Sequence, residues 1–171
     1  HTIVYTSPEF QPCSETFPEK FAFVGPSIRP ATEKIEKKRD KLIYISMGTV
    51  NNDMMSFYKS CVSALANTDY QVIMSVGNLV TIGDFGKIPE NISVFQYIDQ
   101  IEKKKKSDVF VSHCGMNSVS ESLYFEVPLV MIPQTTEQKG VSERILELGA
   151  GIKPDKMEGT SVLNAVNKII N

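Results

Sequence analysis

The stretch Ser112-His113-Cys114-Gly115-Met116-Asn117-Ser118-Val119-Ser120-Glu121 decides how this chain is read. It follows a short apolar run, Asp108-Val109-Phe110-Val111, of the kind that forms a strand buried on both faces of a parallel sheet. It runs into Ser118–Tyr124, which reads as a helix. Asn117 is a good N-cap for that helix, and the Ser118-x-x-Glu121 spacing also suits a capping box. The segment is therefore strand, tight glycine turn, helix N-terminus. Such a joint aims unpaired backbone N–H groups and the positive end of a helix dipole at one point, where an anion, most often a phosphate, is the natural occupant. His113 and the Ser118 hydroxyl would add side-chain donors, and Gly115 would let a ligand approach the backbone. Joints of this kind are common and most bind nothing, so the flanking sequence decides.

Downstream, Val127-Pro128-Leu129-Val130-Met131-Ile132-Pro133 is a second buried strand bounded by prolines. Glu137-Gln138 opens a helix expected to run to about Leu148, before Gly149 stops it. Upstream, Ile92–Ile98 reads as a strand with an aromatic at its end, followed by Asp99-Gln100. Further strands are expected at Leu42–Ser46 and Gln71–Val76. A helix is expected from Met54 to Ala66, capped by Asp53, with Met55, Tyr58, Val62 and Leu65 on its buried stripe. A last amphipathic helix covers Thr160–Ile170. Alternating β and α elements imply an α/β fold, a Rossmann-like doubly wound parallel sheet with helices on both faces. In such a sheet, polar side chains at the carboxyl ends of strands face the ligand crevice.

These residues together resemble the nucleotide-sugar-binding half of family 1 UDP-glycosyltransferases, in the macrolide glycosyltransferase-like branch. The family signature appears here as Tyr97-x-x-Gln100, His113-x-Gly115-x-Asn117-Ser118-x-x-Glu121, Pro128-x-x-x-x-Pro133 and Glu137-Gln138. Phe23-Val24-Gly25-Pro26 and Tyr44-Ile45-Ser46-Met47-Gly48-Thr49 also look like family landmarks, so the resemblance covers nearly the whole chain. Two departures stand out: Tyr97 replaces the usual Trp, and Asp99 replaces a common Pro. The segment from Tyr97 to His113 is also about two residues shorter than in plant members. The resemblance implies the C-terminal half of a two-domain GT-B enzyme.

It also implies roles. Tyr97 would stack on the uracil ring, the backbone of Ile98 would bond the base edge, and Gln100 would lie near base and ribose. Glu121 would accept hydrogen bonds from the ribose hydroxyls. His113, Asn117 and Ser118 would hold the diphosphate beside Gly115, with the Gly48-Thr49 turn facing it. Glu137 and Gln138 would bind hydroxyls of the donor sugar. Each residue also has a plainer reading: Tyr97 as strand-end packing, Glu121 as a capping-box partner, His113 as an imidazole satisfied by a backbone carbonyl, and Glu137-Gln138 as ordinary first-turn helix residues. Cys114 beside His113 does not read as a nucleophile dyad, because adjacent strand residues point to opposite faces.

Composition narrows the rest. The chain has 171 residues and a net charge of −2, enough to bury a core and unlike a nucleic-acid-binding domain. The run Lys103–Lys106 reads as a solvated helix face. Three cysteines at scattered spacing give no disulfide framework or zinc pattern, which makes a reducing, cytoplasmic location the default. No segment approaches the ~20 apolar residues of a membrane span, so no stable membrane insertion is expected.

Residues 1–40 are expected to be the tail of an N-terminal domain and an interdomain linker, with a charged stretch from Glu33 to Lys41. Residues 41–171 are expected to be the donor-binding domain. Inverting sugar transfer needs a general base. The chain has two histidines: His1 at the terminus, and His113, which this reading commits to phosphate. The resemblance therefore implies that the catalytic base, and the site for a small-molecule acceptor, belong to an N-terminal domain preceding residue 1. This chain alone should then transfer no sugar. The donor is expected to be a UDP-sugar, with glucose the favoured hexose. No cofactor and no metal are expected, consistent with the absence of an Asp-x-Asp pair. Two other classes stay open: a donor subunit of a split N-acetylglucosaminyltransferase, and a non-catalytic nucleotide-binding module.

Overall fold

The structure is a computed structural model that describes residues 1–29, 41–48 and 53–171. The expected linker over 33–40, and Thr49, lie outside these described residues. Among the described residues, eight strands and five α-helices follow in order as β1 (Thr2–Val4), β2 (Phe21–Phe23), β3 (Leu42–Ser46), α1 (Met55–Leu65), β4 (Gln71–Ser75), β5 (Ile92–Phe95), α2 (Gln100–Lys106), β6 (Val109–Ser112), α3 (Met116–Tyr124), β7 (Leu129–Met131), α4 (Thr136–Glu147), β8 (Gly151–Ile152) and α5 (Gly159–Ile170). β1 and β2 form a small parallel pair. The other six strands form one wholly parallel sheet in the order β5-β4-β3-β6-β7-β8. This is the doubly wound order, in which the chain builds outward in one direction and then returns to build in the other.

The central strands β3 and β6 carry no charged residue and stay buried from Ile43 and Val109 to their terminal serines because both their faces are covered. Ile43, Ile45, Val109, Val111 and Val130 point into one core with Phe57, Cys61 and Leu65 of α1 and Val162, Ala165 and Val166 of α5. Their neighbours in sequence, Tyr44, Phe110, Leu129 and Met131, point the other way into a second core with Val119 of α3 and Ile145 of α4. Tyr44 and Phe110 stack there at 5.1 Å between ring centroids. On the first face, α5 closes tightly on α1. Its Gly159 N–H donates to Ser60 Oγ at 2.9 Å, and a Cβ on Gly159 would lie 2.0 Å from the Ser60 carbonyl oxygen.

The expected strands and helices are present with shifted ends. The strand after residue 91 stops at Phe95 rather than Ile98, and the strand around Val130 spans Leu129–Met131. Helix α1 runs Met55–Leu65 with Met54 as its N-cap and no side-chain cap, so Asp53 does not cap it. Its buried residues are Phe57, Tyr58, Cys61 and Leu65, and the expected Met55 and Val62 pack half-buried against the same core. The connection from β4 to β5 holds a short 3-10 turn, Ile82–Phe85.

The run Lys103–Lys106 departs most from expectation. It forms the last turn of α2, where cations suit the helix dipole. Lys104 and Lys105 are nevertheless buried. Lys105 pairs with Glu102 at 2.7 Å and Lys104 with Glu121 at 2.5 Å. A solvated face was the wrong reading because carboxylates within the fold take the place of water around two of the four ammonium groups.

Candidate functional site

Three serines stand level across the sheet: Ser46 pairs in register with Ser75 on one side and Ser112 on the other. Just past them the strands release their carboxyl ends. There Tyr58 of α1 ties two strands together, its hydroxyl accepting from the Met47 N–H at 3.2 Å and donating to the Ser75 carbonyl at 3.3 Å. The loop after β3 leads to α1 on one face, and the loop after β6 leads to α3 on the other. Their divergence opens a crevice at the point where strand order reverses.

A cavity of about 440 Å³ fills that crevice, within the range of roughly 300–1,000 Å³ usual for small-molecule sites. Of the residues predicted from sequence, its walls bring together Gly48, Gln100, His113, Gly115, Asn117, Ser118, Glu121, Glu137 and Gln138. Met47 and Met116 line it too and carried no signal in the sequence reading. Tyr97 and Ile98 are not in the wall. Tyr97 stands beyond the end of β5 with 63% of its surface exposed, and Ile98 packs against the second core.

His113 sits at the centre. A Cβ on Gly48 would lie 2.7 Å from its Cε1 and Nε2, and a Cβ on Gly115 would lie 2.6 Å from its Nε2. The imidazole thus occupies the space that a side chain at either position would need. Burial is the main influence on its pKa and lowers it, and the nearby Lys104 charge lowers it further. The Ser46 backbone and the Glu137 carboxylate pull the other way, although Nδ1 is buried without an aligned hydrogen-bond partner among the described residues. The ring is therefore favoured neutral at pH 7.

The turn that follows is not the glycine turn expected. Cys114, at φ 67°, is its left-handed residue, held by its N–H donating to Ser112 Oγ at 3.1 Å. Gly115 has an ordinary extended φ of −64° and stands as the N-cap of α3. Its role is to leave room for His113. Asn117 lies inside the helix rather than at its cap, and α3 has no side-chain cap at all. The first α3 N–H with an intrahelical acceptor is that of Val119, which donates to the Gly115 carbonyl at 3.0 Å. The N-terminal amides of α3 thus open on the cavity together with the Asn117 and Ser118 side chains, an arrangement suited to a phosphate. Burial pushes the Cys114 thiol up to about 12, which leaves it un-ionised and unsuited to nucleophilic chemistry.

Two predicted contacts have partners within the protein. Glu121 makes no capping box with Ser118; its Oε2 accepts from Lys104 Nζ at 2.5 Å. Gln138 is the N3 residue of a capping box at the start of α4: Thr135 Oγ1 accepts its N–H at 3.3 Å, and Gln138 Oε1 accepts from the Thr135 and Gln134 amides. Its carboxamide NH₂ is the group left to offer a ligand. Asp99 caps α2, accepting from the Ile101 and Glu102 amides, and so brings Gln100 to the cavity edge. Among the described residues no group of three or more His, Cys, Asp and Glu side chains is placed to hold a metal ion. No helix there is long and apolar enough to cross a membrane.

The chain is similar to known proteins over most of its length. The family model described as "Erythromycin biosynthesis protein CIII-like, C-terminal domain" matches residues 59–171, more than half of the chain. The chain belongs to that family. It is 37% identical over 177 aligned residues to an uncharacterized UDP-glucosyltransferase, YojK, of Bacillus subtilis, an alignment covering 99% of this chain and 44% of that protein. The NDP-glycosyltransferase YjiC of Bacillus licheniformis is 40% identical over 176 residues, covering 97% and 44%. Among solved structures, the calicheamicin glycosyltransferase CalG4 superposes with a TM-score of 0.86 at 31% identity, over 98% of this chain and 43% of that one. The fold is therefore the Rossmann-like C-terminal half of a GT-B glycosyltransferase, and the chain spans less than half the length of the curated relatives it matches.

Proposed function

We propose that this chain is the donor-binding domain of an inverting glycosyltransferase that moves a hexose, glucose by preference, from a UDP-sugar to a hydroxyl of a small-molecule acceptor. One observation carries the reading. At the switch point of the sheet, a single cavity gathers an open helix N-terminus, a neutral imidazole, four hydroxyl or amide side chains and two carboxylates. The α3 amides, His113 and Ser118 suit a diphosphate, while Glu121 suits vicinal hydroxyls. Relatives named as UDP- and NDP-glycosyltransferases support the same donor class. Tyr97, exposed at the end of β5, offers a free face for a base, with the Ile98 backbone and Gln100 beside it. In this reading Glu137 and the Gln138 NH₂, both in the cavity wall, bind sugar hydroxyls, and the turn that begins at Gly48 attends the far side of the diphosphate.

In this reading the chain stabilises the departing diphosphate by helix dipole and hydrogen bonds. The general base and acceptor site come from an N-terminal domain, so the 171-residue chain binds donor without transferring sugar. Calorimetric titration with UDP, TDP, uridine and UDP-glucose tests it. Saturable binding that ranks UDP above TDP and uridine is expected, with Glu121→Ala weakening UDP by about 1–3 kcal/mol, the scale of a lost charged hydrogen bond. A folded chain that binds none of the four, or a folded Glu121→Ala variant with unchanged affinity, contradicts the reading.

A further inference from the structure

Lys104 is a cation placed where the fold needs an apolar side chain. It is fully buried between α2 and the sheet, with Nζ 4.8 Å from the centroid of Phe110, a ring that itself stacks on Tyr44. Burying an ammonium is costly unless a partner holds it, and desolvation lowers the Lys104 pKa while Glu121 raises it. A methionine or leucine would fill the same space at lower cost. The ammonium does one thing those side chains cannot: it donates to Glu121 Oε2 at 2.5 Å. The pair is asymmetric. Lys104 is sealed from solvent, whereas the Glu121 side chain is 22% exposed and forms part of the cavity wall. Lys104 therefore cannot touch a ligand but grips from behind the group that can. Holding Oε2 fixes the carboxylate's position and leaves the acceptor sites of Oε1 for a ligand.

We propose that Lys104 is a positioning residue of the nucleotide site, setting affinity for the ribose hydroxyls through Glu121. This rests on the reading of Glu121 as the ribose acceptor. A carboxylate on a flexible side chain must be ordered before it can accept two hydroxyls, and the buried ammonium supplies that order in advance of binding. The contact spans α2 and α3, so it also links the helix that carries Gln100 to the helix whose N-terminus faces the diphosphate.

The test is a double-mutant cycle on the 171-residue chain, with Lys104→Met, Glu121→Ala and the double variant titrated with UDP and with 2′,3′-dideoxy-UDP, which lacks the ribose hydroxyls. Circular dichroism and thermal melting establish that each variant is folded. Lys104→Gln replaces Lys104→Met if the methionine variant does not fold. The expected result is that Lys104→Met weakens UDP about tenfold or more, the scale of a charged hydrogen bond. It should leave dideoxy-UDP nearly unchanged, and should add less than about twofold in the Glu121→Ala background. A folded Lys104→Met variant that binds UDP as the unaltered chain does overturns the proposal. So does a loss that is equal for both nucleotides, or one that persists without Glu121, since either would mark a merely structural role. If Glu121→Ala itself fails to discriminate UDP from dideoxy-UDP, the ribose reading falls and this proposal with it. If Glu121→Ala discriminates and Lys104→Met does not, only the proposal for Lys104 falls.

Discussion

His113 and the glycines on either side of its ring work as one unit. The ring's orientation is set less by hydrogen bonds than by the absence of two side chains, because Gly48 and Gly115 each leave the volume that the imidazole fills. Gly48 also has a positive φ of 83°, so any substitution there mixes backbone strain with steric displacement. Gly115 has no such requirement and isolates the steric effect. Gly115→Ala should therefore leave the fold intact and push the ring off its seat. UDP affinity should fall by about tenfold, the scale of one charge-assisted hydrogen bond, while uridine affinity changes little; parallel titrations check this. Equal losses for both ligands would mean that His113 does not attend the diphosphate.

At the scale of elements, what was legible in the sequence was whatever depends on periodicity. Leu42–Ser46 was read to the residue because an apolar run between charged and glycine-containing segments has few alternatives. The helix ends were read less well, because caps are chosen by backbone geometry that composition leaves open. Asn117 and Asp53 are good caps by type, yet Gly115 and Met54 hold those positions. Asp99 and Thr135 do cap. Nine of the candidate site residues meet in one cavity: five lie on one strand-turn-helix segment, and Gly48, Gln100, Glu137 and Gln138 reach it from other carboxyl ends of the same sheet. The Lys104–Glu121 pair was not legible, since it joins residues 17 apart through tertiary packing. The same limit hid the α1–α5 contact, where Gly159 reads only as a helix start. Gly159→Ala should destabilise the chain by about 1–3 kcal/mol, as overpacking does, because its Cβ meets backbone rather than a movable side chain. Urea denaturation at a fixed m-value measures the loss, and a change within about 0.5 kcal/mol would mean that α5 shifts freely on α1.

For the whole molecule, the strand order explains why a site exists where it does. The two halves of the sheet meet at the β3–β6 pair, and the connections leaving those strands pass to opposite faces, so the crevice follows from the topology. A ligand seated there would bridge Gly48 after β3 to His113 and the α3 amides after β6, and would bind the native chain alone. By mass action UDP at a hundredfold excess over its Kd should add about 2.7 kcal/mol of stability. For a chain of this length that raises the melting temperature by roughly 5–11 °C. The protection should be local as well as global. Amide exchange should slow most at Met116, Asn117 and Ser118, at the open end of α3, and least at the edge strands β5 and β8. Uridine, lacking the diphosphate, should raise the melting temperature less and leave those three amides exchanging as before. If uridine protected them as strongly as UDP, the α3 N-terminus would not be holding the diphosphate, and the cavity would have to be read as a nucleoside site alone.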